Sequence, residues 1–329
     1  MNITIVGAGA WGTAAAIWLS ARHAVTLWGR DQNQTAAMGR TRHNERYLAG
    51  YALPATVAIT SNLSVALQSA DLLLCMVPTS ALRATLSAIR PLRDDLPLVW
   101  ACKGFEAGTG HLPHQVMAEA YPLAAPVAVL SGPSFAQEIA AGKPAALTLA
   151  SGDATFAEHT AHALHSNRVR VYSSTDVTGV ELGGALKNVM AIAAGISDGM
   201  ALGHNARAAL ITRGLAEITR LGLKMGGQPK TFMGLAGLGD LVLTCTGELS
   251  RNRRVGLELA QGKPLDAILG ELGHVAEGVG SAREVLKMAQ ALGVEMPITE
   301  AVCHVLHQHM RPDLAIEQLL SREPKHEYL

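Results

Sequence analysis

The spacing of apolar residues changes character about midway along the chain. In the first half, short apolar runs alternate with longer amphipathic ones. Ile3–Val6, Ala24–Trp28, Leu72–Val77, Leu98–Ala101, Val127–Leu130, Ala145–Ala150 and Arg168–Tyr172 are too short for stable helices. They are rich in Val and Leu and bounded by Gly, Pro, Ser or Asp, which predicts strands. Gly12–Ala21 and Ser80–Arg90 carry helical spacing between them. Strands alternating with helices predict right-handed crossovers and a mostly parallel sheet covered on both faces.

From about Val180 the strand signal stops. Leu182–Gly195, Asn205–Gly222, Arg254–Gly262, Ser281–Leu292 and Thr299–His309 are long stretches rich in Ala, Leu and Met. Gly222, Gly262 and Gly293 stand where helices would end, and Pro297 and Pro312 fall in connections. The expected architecture is α/β. A doubly wound, mostly parallel unit over residues 1–178 precedes an all-helical unit over 179–329, with a substrate cleft between them.

Composition narrows the class. The 329 residues exceed what one hydrophobic core usually serves, and 49% hydrophobic against 16% charged fits a globular enzyme. Basic and acidic residues balance at 27 each, which argues against nucleic acid or an acidic membrane as partner. Cys75, Cys102, Cys245 and Cys303 are far apart with no C-x-x-C pair, so reduced thiols are expected rather than a disulfide framework. The N-terminus has no signal-peptide pattern. No unbroken apolar run reaches the ~18 residues a span needs; the richest, Val189–Gly203, is broken by Asp198 and several glycines. A cytoplasmic protein with no membrane segment is the expectation.

Gly7-Ala8-Gly9-Ala10-Trp11-Gly12 fits G-x-G-x-x-G directly after one predicted strand and before a helix. Gly7 permits the tight turn, Gly9 lets backbone approach a pyrophosphate, and Gly12 lets helix and strand pack closely. The exposed amides of the helix start then hold the phosphates. This is the fingerprint of a Rossmann-type dinucleotide site. The second strand ends Gly29-Arg30-Asp31. A carboxylate near this point binds a ribose 2′-OH and an arginine a 2′-phosphate, so Arg30 coming first favours NADP over NAD, with dual use open. Alternatively, Arg30 is a solvated charge and Asp31 a helix cap.

Four more segments carry a resemblance: Trp100-Ala101-Cys102-Lys103-Gly104, Ser131-Gly132-Pro133-Ser134-Phe135-Ala136, Gly183-Gly184-Ala185-Leu186-Lys187-Asn188, and Gly234–Leu241 continuing to Ser250-Arg251-Asn252-Arg253-Arg254. With the fingerprint, their order and spacing resemble bacterial NAD(P)-dependent glycerol-3-phosphate dehydrogenase from Ile3 to about Ile298. The resemblance implies hydride transfer between dihydroxyacetone phosphate and sn-glycerol 3-phosphate, supplying phospholipid synthesis, with a possible homodimer. It implies Lys187 as proton donor and acceptor. It places Lys103, Gly132, Ser134, Asp240, Ser250, Arg251 and Asn252 around the substrate. Ala10, Trp11, Arg30, Ala136, Val275 and Glu277 join Lys103 and Arg251 on the dinucleotide. Trp11 stands where another aromatic is common, and Arg30 is a single basic residue where two would fix the 2′-phosphate reading. The Arg40–Tyr51 region and the tail carry no usable motif.

The chemistry is consistent with these residue types. Reducing a ketone needs an acid at the developing alkoxide, and a lysine serves if burial or neighbouring cations lower its pKa. Lys187 lies in an apolar, small-residue stretch; the alternative is a lysine snorkelling from a buried helix. Ser250 is positioned to cap a helix whose first amides face an anion, with Arg251 adding a bidentate contact. A basic helix start without an anion is the other reading, and Arg253 and Arg254 are taken as structural.

No metal is expected. His304, His307 and His309 crowd one helix end, but hydride transfer needs none, and His159, His162 and His165 read as an exposed stripe. Cys102 beside Lys103 lacks the partners of a nucleophile. Two rivals stand: a β-hydroxyacid dehydrogenase of the same plan, and a sensor that binds the dinucleotide without turning it over.

Overall fold

The protein is described by a computed structural model covering residues 1–121, 125–272 and 276–323. Among the described residues ten strands form: β1 (Asn2–Val6), β2 (Ala24–Trp28), β3 (His43–Asn44), β4 (Leu48–Ala52), β5 (Ala58–Thr60), β6 (Leu72–Cys75), β7 (Leu98–Trp100), β8 (Val127–Ser131), β9 (Ala145–Ala150) and β10 (Val169–Ser174). Eight make one sheet in the order β10-β9-β8-β7-β6-β1-β2-β5, and β3 pairs β4 in a separate ribbon. Every pairing in the large sheet is parallel except β8 with β9. All seven strands expected from apolar runs are present.

The continuous apolar runs follow from burial on both faces. In β6, Leu72 and Leu74 enter one core cluster while Leu73 enters another with Cys75. A half-exposed sheet would have alternated polar residues instead. The three strands that sequence missed, β3, β4 and β5, are short and mostly polar or half-exposed, so no period marks them. Arg42, left-handed at φ 57°, ends the preceding helix Gln32–Thr41 and turns the chain into this region.

After β10 the described chain is helical. Its axis is the helix Val177–Gly199, buried from Gly179 through Ser197. By length and composition this helix could cross a membrane, yet its apolar window lies wholly inside the protein. Glycines let a second helix, Arg251–Ala260, lie against its backbone. A Cβ at Gly195 would fall 2.0 Å from the Arg253 carbonyl oxygen, and one at Gly256 2.1 Å from that of Ile192. The ion pair of Arg253 with Asp198 (2.7 Å) fixes the same crossing, while Arg254 pairs with Glu258. All four cysteines are buried and free.

Candidate active site

Three of the segments singled out by sequence follow the C-terminal ends of parallel strands of the one sheet. Gly7 follows β1, Lys103 follows β7, and Gly132 and Ser134 follow β8. Between β1 and β6 the chain order reverses, and open α/β sheets bind ligands at the crevice this creates.

The glycine loop has the shape a dinucleotide requires. Gly7 is at φ +118°, and a Cβ there would meet the Met76 carbonyl oxygen at 2.6 Å. At Gly12 a Cβ would stand 1.9 Å from the Gly7 carbonyl oxygen. At Gly9 it would meet nothing within 4 Å, which leaves the loop face open for a pyrophosphate. The helix that follows, Ala10–Leu19, has no side-chain cap and no acid in its first turn, so its amides suit an anion. The residues present therefore fit the cofactor. Trp11 donates its indole N–H to the Ser134 carbonyl (3.1 Å), tying this loop to the segment after β8, where Ala136 opens a short helix.

At the other end of the crevice, Arg30 is exposed. Asp31 does cap the next helix, accepting from the Asn33 and Gln34 amides at 2.9 and 3.1 Å.

Three charged side chains meet where the helix Val177–Gly199 passes over the sheet. Asp240 is 1% exposed and divides its carboxylate between two lysines. Its Oδ1 accepts from Lys187 Nζ at 2.5 Å and its Oδ2 from Lys103 Nζ at 2.6 Å. Lys103 also lies 3.4 Å from the Gly132 carbonyl oxygen. Gly184 makes room for the Lys103 stem: a Cβ there would fall 3.2 Å from Lys103 Cγ. A five-residue π-helical turn, Leu235–Gly239, delivers Asp240 to this point.

Burial lowers the Lys187 pKa to about 8; Asp240 opposes this, and the nearby Lys103 charge adds to it. Burial works against ionising Asp240, but Lys103 and Lys187 together hold its carboxyl below the usual range. The arrangement keeps one carboxylate charged and leaves one lysine able to gain and lose a proton near neutrality.

Around this triad the remaining expected residues divide into two groups. Asn252 is buried and hydrogen-bonds Asn188, next to Lys187, at 2.9 Å; its carbonyl accepts from the Gly278 amide. Ser250 caps the helix Arg251–Ala260 through the Arg253 amide at 3.2 Å. Arg251 is exposed on the first turn and pulls on Glu277, whose carboxyl is raised by burial and accepts from the Thr79 amide. These residues stand on the helical side. Arg30 belongs to the far end of the nucleotide crevice, and Val275 lies outside the described residues.

Sequence reasoning passed over three groups here. Thr244 accepts from Lys187 at 2.9 Å and donates to the Asp240 carbonyl at 2.6 Å; its position one helical turn after Asp240 was a usable signal. The Ser131 hydroxyl is buried beside Gly184 with no hydrogen-bond partner among the described residues. Glu181, buried on the Lys187 helix, accepts from Trp100 Nε1 and the His114 amide, 81 and 67 residues away, which no local pattern announces.

Comparison with known proteins agrees with this geometry. The profile described as the NAD-dependent glycerol-3-phosphate dehydrogenase N-terminus matches residues 2–157, and that of the C-terminus residues 176–317. A glycerol-3-phosphate dehydrogenase [NAD(P)+] of Aromatoleum aromaticum is 58% identical over 99% of this chain and 100% of its own. That of Nitrosospira multiformis is 58% identical over 99% of each. The crystal structure of glycerol-3-phosphate dehydrogenase from Coxiella burnetii superposes with a TM-score of 0.93 at 42% identity, covering 98% of this chain and 99% of that one. The chain belongs to the NAD-dependent glycerol-3-phosphate dehydrogenase family.

Proposed function

We propose that the protein reduces dihydroxyacetone phosphate to sn-glycerol 3-phosphate with NAD(P)H and catalyses the reverse reaction. The observation that carries this reading is the Lys103–Asp240–Lys187 triad, set beside a glycine loop open at Gly9. When bound, the nicotinamide supplies or accepts the hydride.

In reduction, Lys187 Nζ gives its proton to the carbonyl oxygen as negative charge develops there. In oxidation it takes the proton back from the hydroxyl. Asp240 orients Lys187 and tempers the two lysine charges, while Lys103 adds a second cation at the reacting end. Thr244 accepts a second hydrogen bond from the same Nζ. Gly132 and Ser134 border this end. At the other end, Arg251 and the first amides of the helix capped by Ser250 anchor the substrate phosphate, with Asn252 fixing that helix to Asn188. Arg251 and Lys103 also reach the dinucleotide, with Ala10, Trp11, Arg30, Ala136 and Glu277 along its length. The division at residues 1–178 and 179–329 then separates a cofactor unit from a substrate unit, with a cytoplasmic homodimer as the working form.

The test is cofactor oxidation followed by absorbance with dihydroxyacetone phosphate, running NADPH and NADH side by side. Rapid oxidation supports the reading. Flat traces from folded, cofactor-binding protein would overturn the substrate assignment and redirect the search to small β-hydroxy acids.

A further inference from the structure

The ribbon of β3 and β4 is built onto the nucleotide loop. Asn44, 1% exposed, donates to the Ala8 carbonyl at 3.0 Å and to Thr13 Oγ1 at 2.7 Å. Gln34 donates to the same Ala8 carbonyl at 2.9 Å and to Asn44 Oδ1 at 3.2 Å. These bonds fix the ribbon's tip, residues 45–47, against the Gly7–Gly12 loop and the end of β2. The tip carries Glu45, Arg46 and Tyr47. Arg46 lies over the Tyr47 ring, 5.1 Å from its centroid, and its Nη1 is 3.7 Å from Asp31 Oδ2. Its side chain is 61% exposed.

Two consequences bear on the ribose end of the crevice. First, Asp31, the carboxylate placed to bind a 2′-OH, is engaged: Oδ1 takes two helix amides and Oδ2 faces Arg46. Second, Arg30 immediately precedes Asp31 in the chain and Arg46 faces Asp31 from the tip, which brings two basic residues to this region beside the carboxylates of Asp31 and Glu45. A phosphate on the 2′ oxygen would offer Arg46 a doubly charged, fork-accepting partner better matched than a solvated carboxylate at 3.7 Å.

We infer that Arg46 is a specificity-determining residue, the second cation that with Arg30 recognises the 2′-phosphate of a phosphorylated dinucleotide. This rests on the dinucleotide reading above and deepens it. The adenine-side ribose is far from hydride transfer, so Arg46 discriminates in binding and leaves the chemical step alone.

The experiment is fluorescence titration of NADPH and NADH, without substrate, into wild type, Arg46→Gln and, as a charge control on the same tip, Glu45→Gln. The expected result is a five- to tenfold rise in the NADPH dissociation constant for Arg46→Gln, with NADH within twofold of wild type and Glu45→Gln not weakening NADPH. Equal losses for both cofactors, or no loss for either, would overturn the role of Arg46 and leave the proposed reaction standing. Failure of wild type to bind either dinucleotide would overturn both. Tight binding without turnover of dihydroxyacetone phosphate would sink only the substrate assignment. Arg46 is exposed, so the variant is expected to fold, and its circular dichroism and melting curve check this.

Discussion

Lys187 and Asp240 sit 2.5 Å apart with both side chains almost fully out of water, and the carboxylate keeps its second oxygen for Lys103. Two cations share one anion, so Lys187 is not locked in its charged form as a simple buried pair would be. Burial then lowers it to about 8. The sign of the pH response follows. Ketone reduction needs the ammonium, so its kcat should fall as pH rises through about 8. Alcohol oxidation needs the free amine and should rise over the same range. Steady-state profiles in both directions check this; parallel profiles would exclude Lys187 as the titrating acid and base.

Lys187→Ala removes the proposed proton donor from a buried site. Turnover is expected to fall by about 10²–10⁴-fold, the usual contribution of a positioned acid or base. NADPH affinity should stay within about twofold, well under the ~1.4 kcal/mol of a tenfold step, because the hydrogen bonds of Lys187 go to Asp240 and Thr244. Retained turnover would remove Lys187 from the chemistry.

Gly9 and Gly12 are the same residue type three positions apart and should respond oppositely to alanine. At Gly9 the backbone is extended, φ −81° and ψ −172°, and a methyl meets nothing. Gly9→Ala should leave stability unchanged or raise it by about 0.4–1 kcal/mol, while weakening NADPH by about tenfold or more, roughly 1.4 kcal/mol. Gly12→Ala forces a methyl to 1.9 Å from the Gly7 carbonyl and should lower folded yield and melting temperature. Paired titration and thermal melts separate the two. Equal behaviour would mean the loop does not face a ligand at Gly9.

These contrasts show what the sequence made legible. Residues whose chemistry is local, such as the glycine loop with its strand and helix, were readable because every requirement lies between Asn2 and Leu19. The sheet was readable because strands buried on both faces announce themselves as apolar runs. The β3–β4 ribbon was not, since its fixing depends on Asn44 meeting Ala8 and Thr13 from outside any period. The pairing of Lys103 with Asp240 spans 137 positions, and only the family resemblance suggested that the two meet.

Ser250 and Arg251 are adjacent but should fail differently. Ser250→Ala deletes a cap and should cost about 1 kcal/mol of stability. Arg251→Ala removes an exposed side chain and should leave stability nearly unchanged while raising the apparent KM for dihydroxyacetone phosphate. Denaturation midpoints beside substrate titrations decide the matter. A loss confined to kcat in Arg251→Ala would count against a phosphate anchor.

Glu181 carries the last expectation, and it concerns the joint between sheet and helices. Its carboxylate accepts from Trp100 Nε1 at 2.8 Å, the His114 amide at 2.9 Å and His114 Nδ1 at 2.5 Å. Trp100 ends β7, which leads to Lys103, and Glu181 stands six residues before Lys187 on its helix. One side chain thus ties together the two elements that bring the lysines to Asp240. Burial pushes its carboxyl up, against the pull of His114 and Trp100. Glu181→Ala would strand the buried Trp100 indole N–H, at about 1–3 kcal/mol, and take the acceptor from the part-buried His114 donors, and should therefore lower the urea midpoint clearly. Glu181→Gln keeps one carbonyl acceptor and should cost less. If the pin also sets the lysine spacing, Glu181→Gln should lower kcat more than it raises the NADPH dissociation constant, because the glycine loop lies elsewhere on the sheet. A variant with full turnover at full stability would show that Trp100 and His114 find other partners and that the lysines hold their places without Glu181.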